Sequence, residues 1–298
     1  MPETAEVFLK LAARKPFSLH SVVHSHGWMQ LAPFQYAEET GQLSYVDQLP
    51  SGRVVEYRIR QAGQGVGVEA GNLRKADAAE ASRRITWMLG LDLDFAPFYK
   101  ATRAEPKLSH VRRTARGRLL RSPTLFEDVV KTILTTNTLW AATKRMNANL
   151  IEVFGEPLPG SGRKAFPRPE AIAASREKVL RERVRVGYRA PALHQLAQRV
   201  AEGELRLEDL KTSTLPTADL RKELLKINGV GPYAAANLLL ILGRSDFIPI
   251  DSWALKLVSH EWYRGKPVTA QHVERRFARW AEFKGLAFWF WDWRYDAE

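Results

Sequence analysis

Residues 220–242 read LRKELLKINGVGPYAAANLLLIL, and this stretch decides the fold of the C-terminal part of the chain. Leu220, Leu224 and Leu225 recur at helical spacing, with Thr217 placed to cap them. The helix has to stop at Ile227-Asn228-Gly229-Val230-Gly231, because two glycines around one valine favour a tight turn. Pro232 then opens a second helix, where its missing N–H costs nothing. The spacing predicts two helices joined by a hairpin over 217–242, with Val230 tying the turn to the core. Peptide N–H groups near Gly229 and Gly231 sit at the start of the second helix, a natural anion site. Taken alone, the pattern also describes an ordinary helical packing unit.

Charge suggests what the anion is. The 298 residues carry a formal net charge of +12, which favours a polyanionic partner such as the DNA backbone. Arginines cluster at Arg112, Arg113, Arg116, Arg118 and Arg121, at Arg181, Arg183, Arg185 and Arg189, and at Arg275, Arg276 and Arg279. Contacts of this kind position a duplex without reading its sequence. The chain has no cysteine, which excludes disulfides, thiol catalysis, cysteine zinc sites and an iron–sulfur cluster. No apolar run is long enough to span a membrane; the best candidate, Ala234 to Leu242, is short and broken by Asn237. The N-terminus lacks a basic-then-apolar signal pattern, so a cytoplasmic protein is expected.

Twenty residues beyond Gly231 comes Phe247-Ile248-Pro249-Ile250-Asp251-Ser252-Trp253. One acid stands in an otherwise apolar and aromatic stretch. Ala254, Leu255, Leu257 and Val258 follow at helical spacing, so Asp251 reads as a helix N-cap. That role is compatible with catalysis, because a helix start favours negative charge.

The combination of Gly229-Val230-Gly231-Pro232-Tyr233-Ala234-Ala235 with Pro249-Ile250-Asp251 resembles the helix-hairpin-helix DNA glycosylase superfamily. Phe126 to Val130 with Thr135-Thr136-Asn137 is similar to that family's first core helix and DNA-probing loop. Phe166-Pro167, Gly187 to Ala190, and Trp280 through Lys284-Gly285-Leu286-Ala287 to Trp291 resemble further landmarks. These are most like the bacterial 3-methyladenine glycosylase II and 8-oxoguanine glycosylase group. The resemblance covers about residues 122–293, and the N-terminal part resembles the group's β domain less specifically.

The resemblance implies a base-flipping enzyme of base excision repair acting on double-stranded DNA with a damaged base. Asp251 would stabilise a cationic sugar and orient water. Bifunctional members carry lysine where Tyr233 stands, and tyrosine cannot form a Schiff base, so a monofunctional enzyme without lyase activity is expected. Asn137 would fill the gap left by the flipped base or read the opposite base; it could equally cap the loop. Leu139 and Trp140 are alternative wedges. Gly229, Val230, Gly231 and Ser252 complete the expected DNA contacts. Carbonyls of Leu225, Ile227 and Val230 match positions that hold a monovalent cation in relatives, and no other cofactor is required. Relatives suggest a monomer.

The remaining sequence completes an α+β layout: an N-terminal antiparallel β-sheet domain over 1–105, then a mostly helical two-subdomain body over 106–298. Phe17 to Ala70 reads as β structure. Val55, Tyr57 and Ile59 alternate with Glu56, Arg58 and Arg60. Gly63, Gly65 and Gly67 read as a strand with a tight turn, since no nucleotide-binding unit surrounds them. Helices are expected over 77–89, from a Ser122 cap with Pro123 at the first position, over 141–154, and over 190–202, with a Pro/Gly-rich loop from Gly155 to Pro169. Tyr233, Trp253, Trp140, Tyr188 and the C-terminal tryptophans are candidates for an aromatic pocket suited to cationic, alkylated purines. The aromatic tail 288–293 reads first as core packing of a terminal helix. His24 and His26 form a His-x-His pair with no acid or third metal ligand evident nearby. An 8-oxoguanine-type glycosylase, or a non-catalytic binder of damaged DNA, are the alternatives.

Overall fold

The computed structural model describes residues 7–293. In chain order come β1 (Val7–Ala12), α1 (Leu19–Val23), β2 (Phe34–Ala37), β3 (Gln42–Gln48), β4 (Val54–Gln61), β5 (Gly65–Gly71), α2 (Ala78–Leu89), α3 (Ala96–Thr102) and α4 (His110–Arg113). Then follow α5 (Leu125–Thr135), α6 (Trp140–Phe154), α7 (Pro169–Ala173), α8 (Glu177–Val179), α9 (Ala190–Ala201), α10 (Thr217–Leu225), α11 (Pro232–Ile241), α12 (Ser252–Tyr263), α13 (Ala270–Phe277) and α14 (Lys284–Trp289). The expected α+β arrangement, an antiparallel sheet followed by a helical body, is present.

Compactness divides the chain differently from the cut at 105/106. One unit holds the chain up to Leu93 together with Arg118–Thr212; the other holds Asp94–Gly117 and everything from Ser213. The physical reason is that the sheet and the first long helices share a core.

In the first unit the sheet order is β1-β5-β4-β3-β2, antiparallel throughout. The alternation in β4 is as read: Val55, Tyr57 and Ile59 are fully buried while Glu56 and Arg58 are not. The glycine run forms the β4–β5 turn, with Gly63 at φ +55°. Residues 17–30, expected to be β, form two short helical segments joined by a turn instead. The Ser18 hydroxyl accepts the Ser21 N–H at 3.2 Å and so starts α1, and a 3-10 turn follows at Gly27–Gln30. Strand β1, absent from the sequence reading, is a half-exposed edge strand paired with β5.

Both faces of the sheet are covered. Tyr45, Asp47 and Tyr57 face α2 and α5. The Tyr45 hydroxyl donates to Glu127 at 2.5 Å, Tyr57 donates to Asp47 at 3.0 Å, and Arg84 donates to Asp47 at 2.8 Å. Glu127 forms an ion pair with Lys131 at 2.6 Å, and both side chains are all but inaccessible to solvent. Removing one partner of such a buried pair costs about 3–5 kcal/mol, because the other charge is left unpaired. On the opposite face, Val46 and Val54 pack with Leu158 and Ala165. The Pro/Gly-rich loop is therefore a cover for the sheet, and Arg163 bridges it to Glu56 and to the Pro33 carbonyl.

Helix α5 starts later than its sequence suggests. The Ser122 N–H is taken by Asp128 at 3.0 Å and its carbonyl by the Trp87 indole at 3.1 Å, so residues 122–123 stay outside the helix. The Thr124 hydroxyl caps it instead, accepting the Glu127 N–H at 3.3 Å.

The second unit is built around α11, whose residues from Ala234 to Ile241 are buried except Asn237. Thr217 is the first helical residue of α10, not its cap. The Pro216 carbonyl already accepts the Asp219 and Leu220 N–H groups, which places proline at the cap position. The aromatic tail is core. Phe277 is fully buried, with Trp262, Trp280, Phe288 and Trp291 between 5.3 and 5.6 Å from its ring. Gly285 allows α14 to approach closely, since a Cβ there would meet the Phe247 carbonyl at 2.4 Å. Among the described residues, no helix is long and apolar enough to cross a membrane.

Candidate functional site

The hairpin forms as its glycines dictate. After α10 the Ile227 N–H donates to the Leu224 carbonyl at 3.1 Å and the Val230 N–H to the Ile227 carbonyl at 3.0 Å. Gly229 has φ +86°, a conformation that strains any residue with a side chain. Val230 and Ile227 are buried and fix the turn; Asn228, Gly229 and Gly231 are exposed. Gly231 is different from Gly229. Its φ of −88° suits any residue, and a Cβ there would meet nothing within 4 Å. Nothing in the fold around it demands glycine at 231, and the space beside it is open. As N-cap of the ten-residue α11, Gly231 supplies no capping side chain. The first N–H groups of that helix are thus available to an anion.

Asp251 caps α12. One carboxylate oxygen accepts the Ala254 N–H at 2.8 Å, and the backbone is extended at φ −126°. The side chain is half-buried. Among the described residues its second oxygen has no hydrogen-bond donor, so the group is oriented through one oxygen alone. Tyr233 is also half-buried, and its phenol is pushed above its ordinary range by burial first and by the Asp251 charge second. The second unit thus brings Asp251 and Tyr233 together at the starts of successive helices. Ser252 and Trp253, on the first turn of α12, are exposed, Trp253 by 44%.

The first unit assembles a second constellation. Helix α5 ends at Thr135, and Asn137 adopts φ +46° in the loop to α6. Its side-chain amide donates to the Tyr188 hydroxyl at 3.3 Å. Arg189, counted in sequence among the DNA-facing arginines, is buried beneath this loop. Its guanidinium donates to the Ile133 and Thr136 carbonyls and lies 4.6 Å from the Tyr188 ring. Leu139 is 81% exposed, an unusual state for leucine. Trp140 is drawn to the N-terminal segment: its indole donates to Gln30 at 2.9 Å and its ring sits where a side chain on Gly27 would be. Tyr188 is 62% exposed beside Asn137.

Burial thins the arginine clusters. Arg118 is spent on the Gly90, Pro16, Arg14 and Leu93 carbonyls, and Arg121 is buried 4.2 Å from the Trp87 ring with its pKa lowered to about 10 by desolvation. Arg112, Arg113, Arg181, Arg183 and Arg185 remain exposed. Sequence reasoning could not separate these groups, because a buried arginine satisfied by carbonyls has no local signature.

The hairpin leaves backbone carbonyls with free acceptor capacity. Leu225 ends α10, where helix carbonyls lack intrahelical partners, and the Ile227 carbonyl keeps a lone pair after accepting from Val230. A three-residue group of a different kind, His20, His24 and Glu38, lies in the first unit.

Comparison with known proteins identifies the fold and the family. The chain is 30% identical over 153 residues to a DNA-3-methyladenine glycosylase of Bacillus subtilis strain 168, an alignment covering 50% of each protein. The match thus spans about half the length of that curated relative. The 3-methyladenine DNA glycosylase of Archaeoglobus fulgidus superposes with a TM-score of 0.74 at 20% identity, over 95% of this chain and 97% of that one. The apo 8-oxoguanine glycosylase/lyase of Clostridium acetobutylicum gives 0.73 at 22% identity, covering 96% of each. At such identities the structures establish a shared fold. The family described as HhH-GPD superfamily base excision DNA repair protein matches residues 130–283, which include the hairpin and Asp251. The chain belongs to the HhH-GPD superfamily of base excision DNA repair proteins.

Proposed function

We propose that the protein is a monofunctional DNA glycosylase that takes a damaged, alkylated base out of duplex DNA and hydrolyses its N-glycosidic bond, leaving an abasic site. The observation that carries this reading is Asp251: half-buried, oriented through one oxygen by the Ala254 N–H, with the other oxygen uncommitted. As the base departs, positive charge develops on the sugar. A carboxylate held in place stabilises that charge and orients the attacking water. The partner is double-stranded DNA, bound through phosphate at the hairpin by Gly229, Val230 and Gly231, with Ser252 beside Asp251. A monovalent cation held by the carbonyls of Leu225, Ile227 and Val230 would add positive charge facing a phosphate.

Tyr233 supports hydrolysis over lyase chemistry, since a phenol cannot form a Schiff base. Lys222 and Lys226 are on α10 and at its end, paired with Asp219 and Glu223. Leu139 is the wedge, since its exposed apolar side chain can hold base steps apart; Asn137 contacts the opposite strand. Exposed Trp253 and half-buried Tyr233 supply ring faces for a cationic purine. The Bacillus relative, named for 3-methyladenine, favours alkylated bases. The protein acts as a monomer.

The experiment is single-turnover excision from duplexes containing 3-methyladenine, 7-methylguanine, hypoxanthine, uracil or 8-oxoguanine. At least one lesion yields alkali-labile abasic sites. Asparagine caps helices as well as aspartate does, so Asp251→Asn keeps the fold and DNA binding while excision falls by at least ~100-fold. Borohydride traps no covalent complex. Wild-type protein inert on the whole panel, or an equally active variant, overturns the proposal.

A further inference from the structure

The His-x-His pair does not act as a pair. His26 turns to the Leu120 carbonyl, at 2.7 Å from Nε2. His24 turns instead toward a different partner set. His20 lies on α1 and His24, four residues on, is the residue that ends it, with the two ring centroids 4.0 Å apart. Glu38, in the turn between β2 and β3, reaches His24 Nε2 at 3.0 Å.

The tautomer makes this contact informative. His24 Nδ1 lies 2.9 Å from the His20 backbone carbonyl. A carbonyl only accepts, so Nδ1 carries the hydrogen. In the neutral ring Nε2 then presents a lone pair to a carboxylate oxygen, which is also an acceptor. Two acceptors at 3.0 Å attract only with a positive particle between them, a proton or a metal ion. A backbone carbonyl fixing the far nitrogen is also the arrangement that orients histidine ligands in metal centres.

The third donor completes a ligand set. One ring nitrogen each of His20 and His24 and a Glu38 oxygen all lie within 4.8 Å of one another. A tetrahedral zinc-like ion with bonds of ~2.0–2.1 Å needs ligand atoms ~3.3 Å apart. His24 and Glu38 are already near that spacing, and His20, exposed on the helix, closes the remainder by rotating its side chain. The Tyr36 ring packs edge-on against His24 at 5.3 Å and limits its movement.

We propose that His20, His24 and Glu38 form a binding site for a divalent transition-metal ion of the zinc type, with water in the remaining position. Imidazole nitrogen with a single carboxylate suits zinc over calcium or magnesium, which take oxygen ligands. The ion clips α1 to the β2–β3 turn within the first unit. It takes no part in base excision and uses none of the residues assigned to DNA.

The test uses full-length, tag-free protein freed of metal by a chelator that is then removed. Calorimetric titration with Zn2+ at neutral pH gives one equivalent of micromolar affinity, and Co2+ gives the visible absorption of a tetrahedral N/O site. His24→Ala and Glu38→Gln each weaken Zn2+ binding at least tenfold, whereas His260→Ala, on α12, leaves it unchanged. Metal-free melting curves confirm that the variants fold. No saturable binding, or equal affinity in a His20→Ala/His24→Ala double variant, overturns the proposal. So does nuclear magnetic resonance showing a protonated His24 ring whose signals Zn2+ does not move, since the contact is then an ion pair only.

Discussion

One half-buried and one fully buried group that share a neighbour should give the protein's stability an unusual dependence on pH. Trp28 donates its indole N–H to Asp128 at 2.8 Å and lies 4.6 Å from the His26 ring. Desolvation lowers His26 from 6.5 to about 4, while desolvation raises Asp128 from 3.8 to about 6. The folded protein thus keeps His26 neutral where the unfolded chain would protonate it. That stability is fully present above pH 6.5 and is lost as pH falls toward about 4. Asp128 works the other way: its protonated form is favoured in the fold, so its contribution is present below pH 3.8 and is lost as pH rises through about 6. Between these limits the two slopes oppose each other. At about 1.4 kcal/mol per pKa unit, fully buried Asp128 contributes about 3 kcal/mol, and His26, partly reached by solvent, about 2 kcal/mol. Removing either group exposes the other. Relative to wild type, Asp128→Asn should gain about 3 kcal/mol as pH rises from about 4 to 6.5, and His26→Gln should gain about 2 kcal/mol as pH falls over the same range. Urea unfolding followed by circular dichroism at four pH values measures both. If the two variants drift in the same direction, or neither moves by more than about 0.5 kcal/mol, the reasoning fails.

The hairpin glycines separate strain from ligand approach. Gly229→Ala, at φ +86°, should cost about 1–3 kcal/mol of stability, whereas Gly231→Ala, with open space around it, should leave stability within about 0.5 kcal/mol yet weaken duplex binding at least tenfold. Unchanged binding by a fluorescence-anisotropy titration of Gly231→Ala would remove the anion site from the argument. Leu139→Ala should leave the melting temperature unchanged, since the side chain is 81% exposed, while slowing single-turnover excision at least tenfold; an unaffected rate would discard Leu139 as the wedge.

The features legible in sequence were those written in local chemistry. The glycine pair had to make a tight turn, Pro232 had to start a helix, Asp251 had to cap one, and β4 had to alternate; each did. Features that depend on distant partners were not legible. Ser122 is as good a capping residue as Thr124, and the partners that hold Ser122, Asp128 on its N–H, Trp87 on its carbonyl and Lys131 on its hydroxyl, decide between them. Arg118 and Arg189 looked like surface charge until carbonyls far along the chain took them up. The aromatic tail read first as core and second as pocket, and the ring of contacts around Phe277 makes it core. The sequence around His24 showed no third ligand, because Glu38 is fourteen residues away and arrives only when the β2–β3 turn folds.

The sheet has a physical role in the proposed chemistry through α5. Every residue of that helix from Leu125 to Leu134 is buried, an uncommon state for a helix carrying Glu127, Asp128 and Lys131. Its charges are tolerated because the sheet and the segment before it supply partners: Tyr45 for Glu127, Trp28 for Asp128, and the Phe34 ring, 4.7 Å from the Lys131 ammonium. A helix gripped on all sides has little freedom to rotate or slide. The loop at its C-terminal end, with Asn137 and Leu139, inherits that rigidity and is braced again by Arg189 through the Thr136 carbonyl. A side chain that must hold base steps apart transmits force to whatever anchors it. An exposed Leu139 on a mobile loop would yield to the stack; on a loop fixed at both the helix and the arginine it can hold its place. The polar groups buried between sheet and helix, costly as they are to bury, fit the role of registering α5 against the sheet so that the loop emerges in one position.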